Sequence, residues 1–529
     1  MATNDATIVK IKHEILEEVA KLVFAGKFEE EKDELPLRLM PGPTAKYRCC
    51  VYKEREIVRQ RVRLAEGRNV EGAPNNLVVQ VVRAACEECP ISRYVVTDNC
   101  QKCMGKACQQ SCRFGAIDIG RTRAHINPSL CKECGKCAKA CPYNAIADLI
   151  RPCKRSCPVN AMTMDEYGVC QIDESKCIQC GHCIHSCPFG AISSKAFLVD
   201  VVKALVAGKR VVAMIAPSAE GQFGDGITIA SWREALQQVG FADLVEVALG
   251  ADMTANAEAA EWMEAYQEGK KKTTSCCPAF VNMIEKHYPM LKENISTTVS
   301  PMCAVSRKLK AEHPGTITVF IGPCVAKKSE VLEQRLEGNA DYVLTFGEIR
   351  AIIRAKGVTL KPEPNEQQDG SVFGKRFGDS GGVTAAVLES MKEQGFTEEV
   401  NVHKCNGAEE CKKALLLMKL GRLPADFVEG MACVGGCVGG PSRHIEPEVT
   451  KRNRDKLIGQ ADDRNISENL HRFADIDSIN MHRSASETEE AAKKNSVPVA
   501  RIHSSSATAL RNLLCEHCPI CSNCQAKAE

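Results

Sequence analysis

The stretch Cys177-Ile178-Gln179-Cys180-Gly181-His182-Cys183-Ile184-His185-Ser186-Cys187-Pro188 decides how this chain is read. Its spacing, C-x2-C-x2-C-x3-C-P, recurs at Cys131, Cys134, Cys137 and Cys141-Pro142, and the tails Pro-Phe-Gly-Ala-Ile and Pro-Tyr-Asn-Ala-Ile match. Two-residue gaps let one tight loop set three thiolates at the corners of an iron–sulfur cubane, and the proline turns the chain away after the fourth. Structural zinc also favours paired C-x2-C. A duplicated run closed by Cys-Pro is an iron–sulfur pattern rather than a zinc one.

Both runs resemble bacterial ferredoxins, in which the fourth cysteine ligates the other cluster of a pair. A third run, Cys100, Cys103, Cys108 and Cys112, has a wider middle gap, and Cys86, Cys89-Pro90, Cys153 and Cys157-Pro158 form two partial runs. The crossed rule applied throughout gives four cubanes: Cys100, Cys103 and Cys108 with Cys141; Cys131, Cys134 and Cys137 with Cys112; Cys177, Cys180 and Cys183 with Cys157; and Cys86, Cys89 and Cys153 with Cys187. Cys49, Cys50 and Cys170 fit no template and read as plain thiols.

The surrounding chain supports thiolates committed to metal. Of 31 cysteines in 529 residues, 17 fall between residues 86 and 187. Disulfide frameworks belong to short secreted chains, and Met1–Ala25 reads as an amphipathic helix rather than a signal peptide. No apolar run approaches the roughly 20 residues needed to span a bilayer. A reducing, cytoplasmic setting and no membrane association are expected. Lys plus Arg (69) nearly balances Asp plus Glu (67), so nothing points to nucleic acid.

Residues 1–85 read as a helical leader, with Ile11–Leu22 and Glu54–Leu64 as helices, and residues 86–195 as the relay region. From 196 to 450 the texture becomes α/β: Val211–Ala216, Ile317–Ile321 and Tyr342–Thr345 look like buried strands, and Ser231–Val239 and Thr384–Gln394 like helices between them. Residues 451–506 turn polar, as in a linker or solvated helix, with Glu487–Lys494 as the clearest stretch. A cysteine-rich tail occupies 507–529. The fold class expected is thus multidomain, α+β followed by α/β.

Three further cysteine motifs lie in the α/β region: Thr274-Ser275-Cys276-Cys277-Pro278; Gly322-Pro323-Cys324-Val325-Ala326-Lys327-Lys328-Ser329-Glu330; and Glu429-Gly430-Met431-Ala432-Cys433-Val434-Gly435-Gly436-Cys437. Four thiolates from three separated loops can close around one cubane, and the glycines let backbone approach an attached ligand. In this order the motifs resemble the signatures of [FeFe]-hydrogenases, over residues 86 to about 445. The resemblance implies ferredoxin-like domains followed by an α/β catalytic domain that interconverts 2H⁺ + 2e⁻ and H₂. It implies that Cys277, Cys324, Cys433 and Cys437 hold the cubane of an H-cluster. Cys437 would bridge to a diiron subsite carrying CO, cyanide and azadithiolate. It also implies a ferredoxin or similar one-electron carrier and hydrogenase maturation proteins as partners.

Cyanides are anionic acceptors that need donors in a dry pocket. By the resemblance, Lys327 is one donor, and the backbone around Ala216, Pro217 and Ser218 makes a second cyanide pocket. Met431 would pack against the diiron unit. Proton delivery would run through Cys276, Glu258, Ser296 and Glu261, the two glutamates standing at i and i+3 on one helix face. The bland alternatives are a surface Lys327 beside Lys328, and two solvated glutamates on the acidic helix 256–268.

Some positions depart from the family pattern. Ala279-Phe280 stands where better-known members carry Gly-Trp, Gly322 replaces a methionine, Val438–Pro441 is a shortened glycine run, and Met302-Cys303 adds a thiol, read as a buried small hydrophobe. Cys405 and Cys411 match no motif. No G-x-G-x-x-G or flavin signature follows a strand, so direct nicotinamide use is not expected. Cys515, Cys518, Cys521 and Cys524 have spacing suited to a further iron–sulfur cluster or to zinc, and that tail is expected to dock a partner in a homo- or hetero-oligomer. Two other functions compete: a dihydrogen sensor, and an iron–sulfur assembly protein that lacks the diiron site.

Overall fold

A computed structural model describes residues 7–483, apart from 88, 91, 334–335, 365–367 and 460–462. Its centre is a four-stranded parallel sheet in the order Asp243–Glu246, Val211–Ile215, Ile317–Gly322, Tyr342–Thr345. Val211–Ile215 is buried at every position. A parallel strand covered by helices on both faces reads as a continuous apolar run, which is why these strands were visible in the sequence.

A second parallel sheet orders Lys272–Thr273, Phe427–Met431 and Val402–Asn406. Helices with clear stop signals flank the first sheet. Ile229–Val239 opens with a Thr228/Ser231 capping box and stops at Gly240 in the left-handed region. Phe346–Ala355 opens with a Thr345/Glu348 box. The long helix Val247–Gln267 follows the edge strand directly and is buried from Val247 to Ala255.

Residues 79–194 form two small antiparallel units. In one, Val79–Val81 pairs with Ile192–Ser194 beside the hairpin Met162–Met164/Cys170–Ile172. In the other, Tyr94–Val96 pairs with Ile146–Asp148 beside the hairpin Ile117–Ile119/Ala124–Ile126. The second unit lies wholly inside the sequence span of the first.

Two segments pack more closely than their sequences suggested. The leader is not separate: Ile15, Val19 and Ala20 of helix Thr7–Phe24 share one core with Val211, Ile321 and Ile349. The stretch from 451 to 483 is not a solvated linker, at least among the described residues. Arg454 of helix Pro447–Ile458 is 1% exposed and paired with Asp379. Ile466, Leu470 and Ile476 join the core of helix Val247–Gln267. Charged composition hid this, because the few large apolar residues sit on one face and the buried arginine is neutralised by a partner. Glu487–Lys494 and the tail cysteines 515, 518, 521 and 524 lie outside the described residues. No helix among those described is long and apolar enough to cross a membrane.

Candidate metal centres

The relay cysteines gather in quartets. Cys100, Cys103, Cys108 and Cys141 line one cavity, and Cys112, Cys131, Cys134 and Cys137 line another. Cys89 has Cys86, Cys153 and Cys187 as electrostatic neighbours, and Cys183 has Cys157, Cys177 and Cys180. Among the described residues no three His, Cys, Asp or Glu side chains converge tightly enough for a single bare ion.

The repeated loops are built alike. The residue before the second cysteine is left-handed in all three runs: Lys102 (φ 47°), Glu133 (φ 51°) and Gln179 (φ 56°). At three of the run-closing cysteines an alanine four residues on donates its backbone N–H to the sulfur: Ala116 to Cys112 (3.4 Å), Ala145 to Cys141 (3.4 Å) and Ala161 to Cys157 (3.2 Å). Such N–H···S bonds stabilise thiolate charge and help set cluster potentials. Cys170, outside every quartet, is buried, and its backbone N–H donates to Cys86 Sγ at 3.3 Å.

The second site forms where parallel strands end. Val211–Ile215 runs into Ala216-Pro217-Ser218, and Ile317–Gly322 into Pro323-Cys324. From the other sheet, Lys272–Thr273 leads to Cys276-Cys277, and Phe427–Met431 to Cys433. Crevices beyond the carboxyl ends of parallel strands are where open α/β sheets hold ligands. Here a cavity of about 90 Å³ is lined by Ala216, Pro217, Ser218, Cys276, Cys277, Cys324, Lys327, Met431 and Cys437, with Pro301, Met302, Phe320 and Phe377 supplying apolar wall.

Cys277, Cys324, Cys433 and Cys437 are mutual neighbours. Burial pushes the Cys324 thiol up to about 11 and Cys437 up to about 12, with the neighbouring thiols adding to the shift. Cys324, Cys433 and Cys437, raised in this way, are poor thiolates until a cationic centre compensates them. That donor set fits a cubane. The cavity also fits an attached group with anionic acceptors: Ser218 Oγ is buried with no hydrogen-bond partner, and the Lys327 ammonium stands in an otherwise apolar wall.

Lys327 and Lys328 are both buried, 8% and 0% exposed, which removes the surface reading of either. Lys327 Nζ pairs with Glu330 Oε2 (2.6 Å) and donates to the Cys276 carbonyl (3.3 Å), while Lys328 pairs with Glu348 (2.5 Å). Burial alone would lower Lys327, but the Glu330 carboxylate holds it above its ordinary value. Glu330 is in turn fixed by the Ser300 hydroxyl (2.5 Å).

The proton-path residues also lie together. Burial drives the Cys276 thiol well above its usual range, and among its charged neighbours Glu258 adds most to the rise. Glu258 is fully buried and neither carboxyl oxygen makes a full hydrogen bond, although Ser296 and the Ser275 N–H lie close enough to temper its pKa. Burial pushes its pKa up to about 8, and the Glu261 carboxylate adds to the rise. Ser296 Oγ donates to Glu261 Oε2 at 2.7 Å. Burial would raise Glu261, but Lys272 (2.8 Å), Ser296 and the Thr297 N–H hold it below the usual carboxylate range. So Glu258 is not a solvated glutamate, and Glu261 is a partly buried ion-paired one.

Two family departures have local causes. A side chain at Gly322 would meet the Phe320 ring at 2.7 Å, so the phenylalanine fills the space a larger residue would take. At Gly430 an added Cβ would lie 2.2 Å from the Phe280 ring, so this glycine is required by Phe280. Cys303 is fully buried in the core beside Val299 and Ala304. Cys405 and Cys411 are likewise fully buried, and Cys411 Sγ donates to the Met431 carbonyl at 3.5 Å.

Sequence reading missed Glu330, although its i+3 spacing from Lys327 on one helical turn was a usable signal. It also missed His182, whose Nε2 stands 3.5 Å from Cys433 Sγ and so joins a relay run to the downstream quartet. Nothing in a Gly-His-Cys sequence marks that contact.

These features define an iron–sulfur oxidoreductase architecture, with ferredoxin-type units beside a buried cysteine-lined site. Residues 209–441 match the C-terminal domain of the iron only hydrogenase large subunit, and residues 124–147 and 151–191 match 4Fe–4S binding and 4Fe–4S dicluster domains. The chain is 31% identical to iron hydrogenase 1 of Clostridium pasteurianum, over 64% of its own length and 66% of the relative's, just under two thirds. It is 28% identical to the periplasmic [Fe] hydrogenase large subunit of Nitratidesulfovibrio vulgaris, over 48% and 74%. A probable cytosolic Fe–S cluster assembly factor of Brugia malayi is 26% identical, over 39% and 57%.

Proposed function

We propose that this protein is a catalytic [FeFe]-hydrogenase, catalysing 2H⁺ + 2e⁻ ⇌ H₂, with electrons exchanged through the cysteine quartets with a ferredoxin-like carrier in the cytoplasm. The observation that carries the reading is the cavity beside Cys437, in which Lys327, unpartnered Ser218, Met431 and Cys276 meet a continuous apolar wall. The diiron group, when bound, supplies the electron-rich centre at which dihydrogen is made or split. Cys277, Cys324, Cys433 and Cys437 would hold the cubane, with Cys437 shared, and maturation proteins would deliver the diiron part.

The chain's own groups then have definable tasks. Lys327 and the Ala216–Ser218 segment donate to anionic ligands, and Glu330 keeps Lys327 charged inside a dry pocket. Pro301, Met302, Phe320 and Phe377 exclude water. The Cys276 thiol, high in pKa, carries a proton as a neutral relay. Glu258, near pH 8, is matched to exchange protons at neutral pH and hands them by way of Ser296 to Glu261, which Lys272 holds ionised toward the exterior.

Similarity to an iron–sulfur assembly factor favours one second reading: a protein that keeps the cubane without the diiron group. Infrared spectra of protein loaded with the diiron cofactor separate the two. Bands of bound CO and cyanide are expected, and their intensity should fall in Lys327→Ala. A spectrum without them would select the assembly reading.

A further inference from the structure

The largest cavity described is not the cysteine-lined one. It measures about 510 Å³ and lies where helix Thr7–Phe24, the end of the Cys177–Cys187 run and segments 345–350 and 441–446 meet. Pockets of a few hundred Å³ with apolar walls and a few polar anchors are the usual form of small-molecule sites. Here Ile15, Leu64 and Phe346 give an apolar wall, and the charged lining is one-sided.

Four basic side chains line the cavity: Arg61, Arg350, Arg443 and Lys12, whose pKa burial pulls down to about 7. The two acids that line it are already engaged, Glu348 by Lys328 (2.5 Å) and Glu446 by Arg443 (3.3 Å). The other three basic side chains bind only neutral groups among the described residues: Lys12 the Ile192 carbonyl (3.1 Å), Arg61 the Gly190 carbonyl (3.2 Å) and Arg350 the His444 ring (2.9 Å). Arg61 is only 8% exposed, and its Nε is buried without any partner. A buried guanidinium with an idle donor is costly unless an anion completes it. Cys187 balances part of this charge from one wall, but Arg350 belongs to a different element, the helix Phe346–Ala355.

We infer that this cavity binds a phosphate-bearing organic anion of mononucleotide size, with Arg61 and Arg350 as cationic anchors on two of its walls and its organic body against Ile15, Leu64 and Phe346. Phosphate suits the forked donors of arginine better than a point charge does. The volume exceeds what a bare inorganic ion needs. Cys187 and Pro188 form part of the same lining, so the bound molecule would touch the relay rather than the diiron pocket. The inference stands independently of hydrogenase activity.

Calorimetric titration of the full chain, with iron–sulfur clusters reconstituted and no diiron cofactor added, tests it with AMP, flavin mononucleotide and sodium pyrophosphate at matched ionic strength. Saturable binding of AMP or flavin mononucleotide at one per chain is expected, weakened about tenfold or more in both Arg350→Gln and Arg61→Gln, with iron content unchanged. Arg350→Gln, at a half-buried position, decides the matter should Arg61→Gln fail to fold. Three results would overturn the inference: no saturable nucleotide binding below about 1 mM, binding that Arg350→Gln leaves unchanged, or pyrophosphate binding as tightly as either nucleotide.

Discussion

The relay and the buried hydrogenase-type site both collect cysteines in fours, yet they are built by opposite means. Three of the four relay quartets take three thiolates from one short run with a left-handed residue at the same loop position, N–H···S bonds recur among them, and Cys134 stands exposed. The quartet of Cys277, Cys324, Cys433 and Cys437, itself half-buried, draws on loops from residue 277 to residue 437, placed by the ends of strands in two parallel sheets. Its neighbourhood holds charges that only a dry site would need to organise: Lys327 on Glu330, Lys328 on Glu348, and Glu258 without a full hydrogen bond. On the proposed function, the difference separates electron passage from proton and dihydrogen chemistry, which requires the exclusion of water.

Breaking the hydrogenase-type quartet should have the largest effect. Cys324→Ala is expected to remove about four irons and all measurable turnover, by iron analysis and dihydrogen assay. Cys276→Ala should lower turnover by about 10²- to 10⁴-fold while infrared bands of the diiron group persist. Loss of those bands would make Cys276 a ligand and redraw the site.

Glu258→Gln comes next, at about 10²-fold in turnover, with a pH signature of its own. The folded pKa near 8 lies above the ordinary 4.5 of an unfolded glutamate. The folded state therefore holds the extra proton between these values, and its contribution to stability, full below about 4.5, is lost as pH rises through about 8. Glu258→Gln should flatten thermal stability across that window. An unchanged profile would mean that the carboxyl is solvated. The smallest effect is expected in the relay: Cys134→Ser should leave activity with methyl viologen within about twofold while slowing electron transfer from ferredoxin about tenfold or more. Equal losses with both donors would erase the contrast between the two regions.

What could be read in advance follows the same division. Cys177–Cys187 and its duplicate declare themselves because cluster loops are local and sequence spacing is their geometry. The three downstream motifs were visible because the loop chemistry sits beside apolar strands such as Ile317–Gly322. Nesting of one ferredoxin-like unit inside another was not visible, because strands of three residues such as Val79–Val81 carry no usable period and their partners lie more than a hundred residues away. The packing of residues 451–483 was hidden for a different reason. Arg454 reads as a surface residue until its pairing with Asp379 is known. His182, which meets Cys433, owes its position to a tertiary contact, whereas Glu330, which governs the charge of Lys327, stands at i+3 on the same turn and was legible locally.

The most direct measurement is dihydrogen evolution from reduced methyl viologen by the full chain carrying its iron–sulfur clusters, with and without the diiron cofactor. Turnover that appears only with the cofactor, and is lost in Cys276→Ala with the cofactor still bound, is the predicted result. Silence from protein whose infrared spectrum shows a fully assembled site would contradict the catalytic reading and favour a sensor.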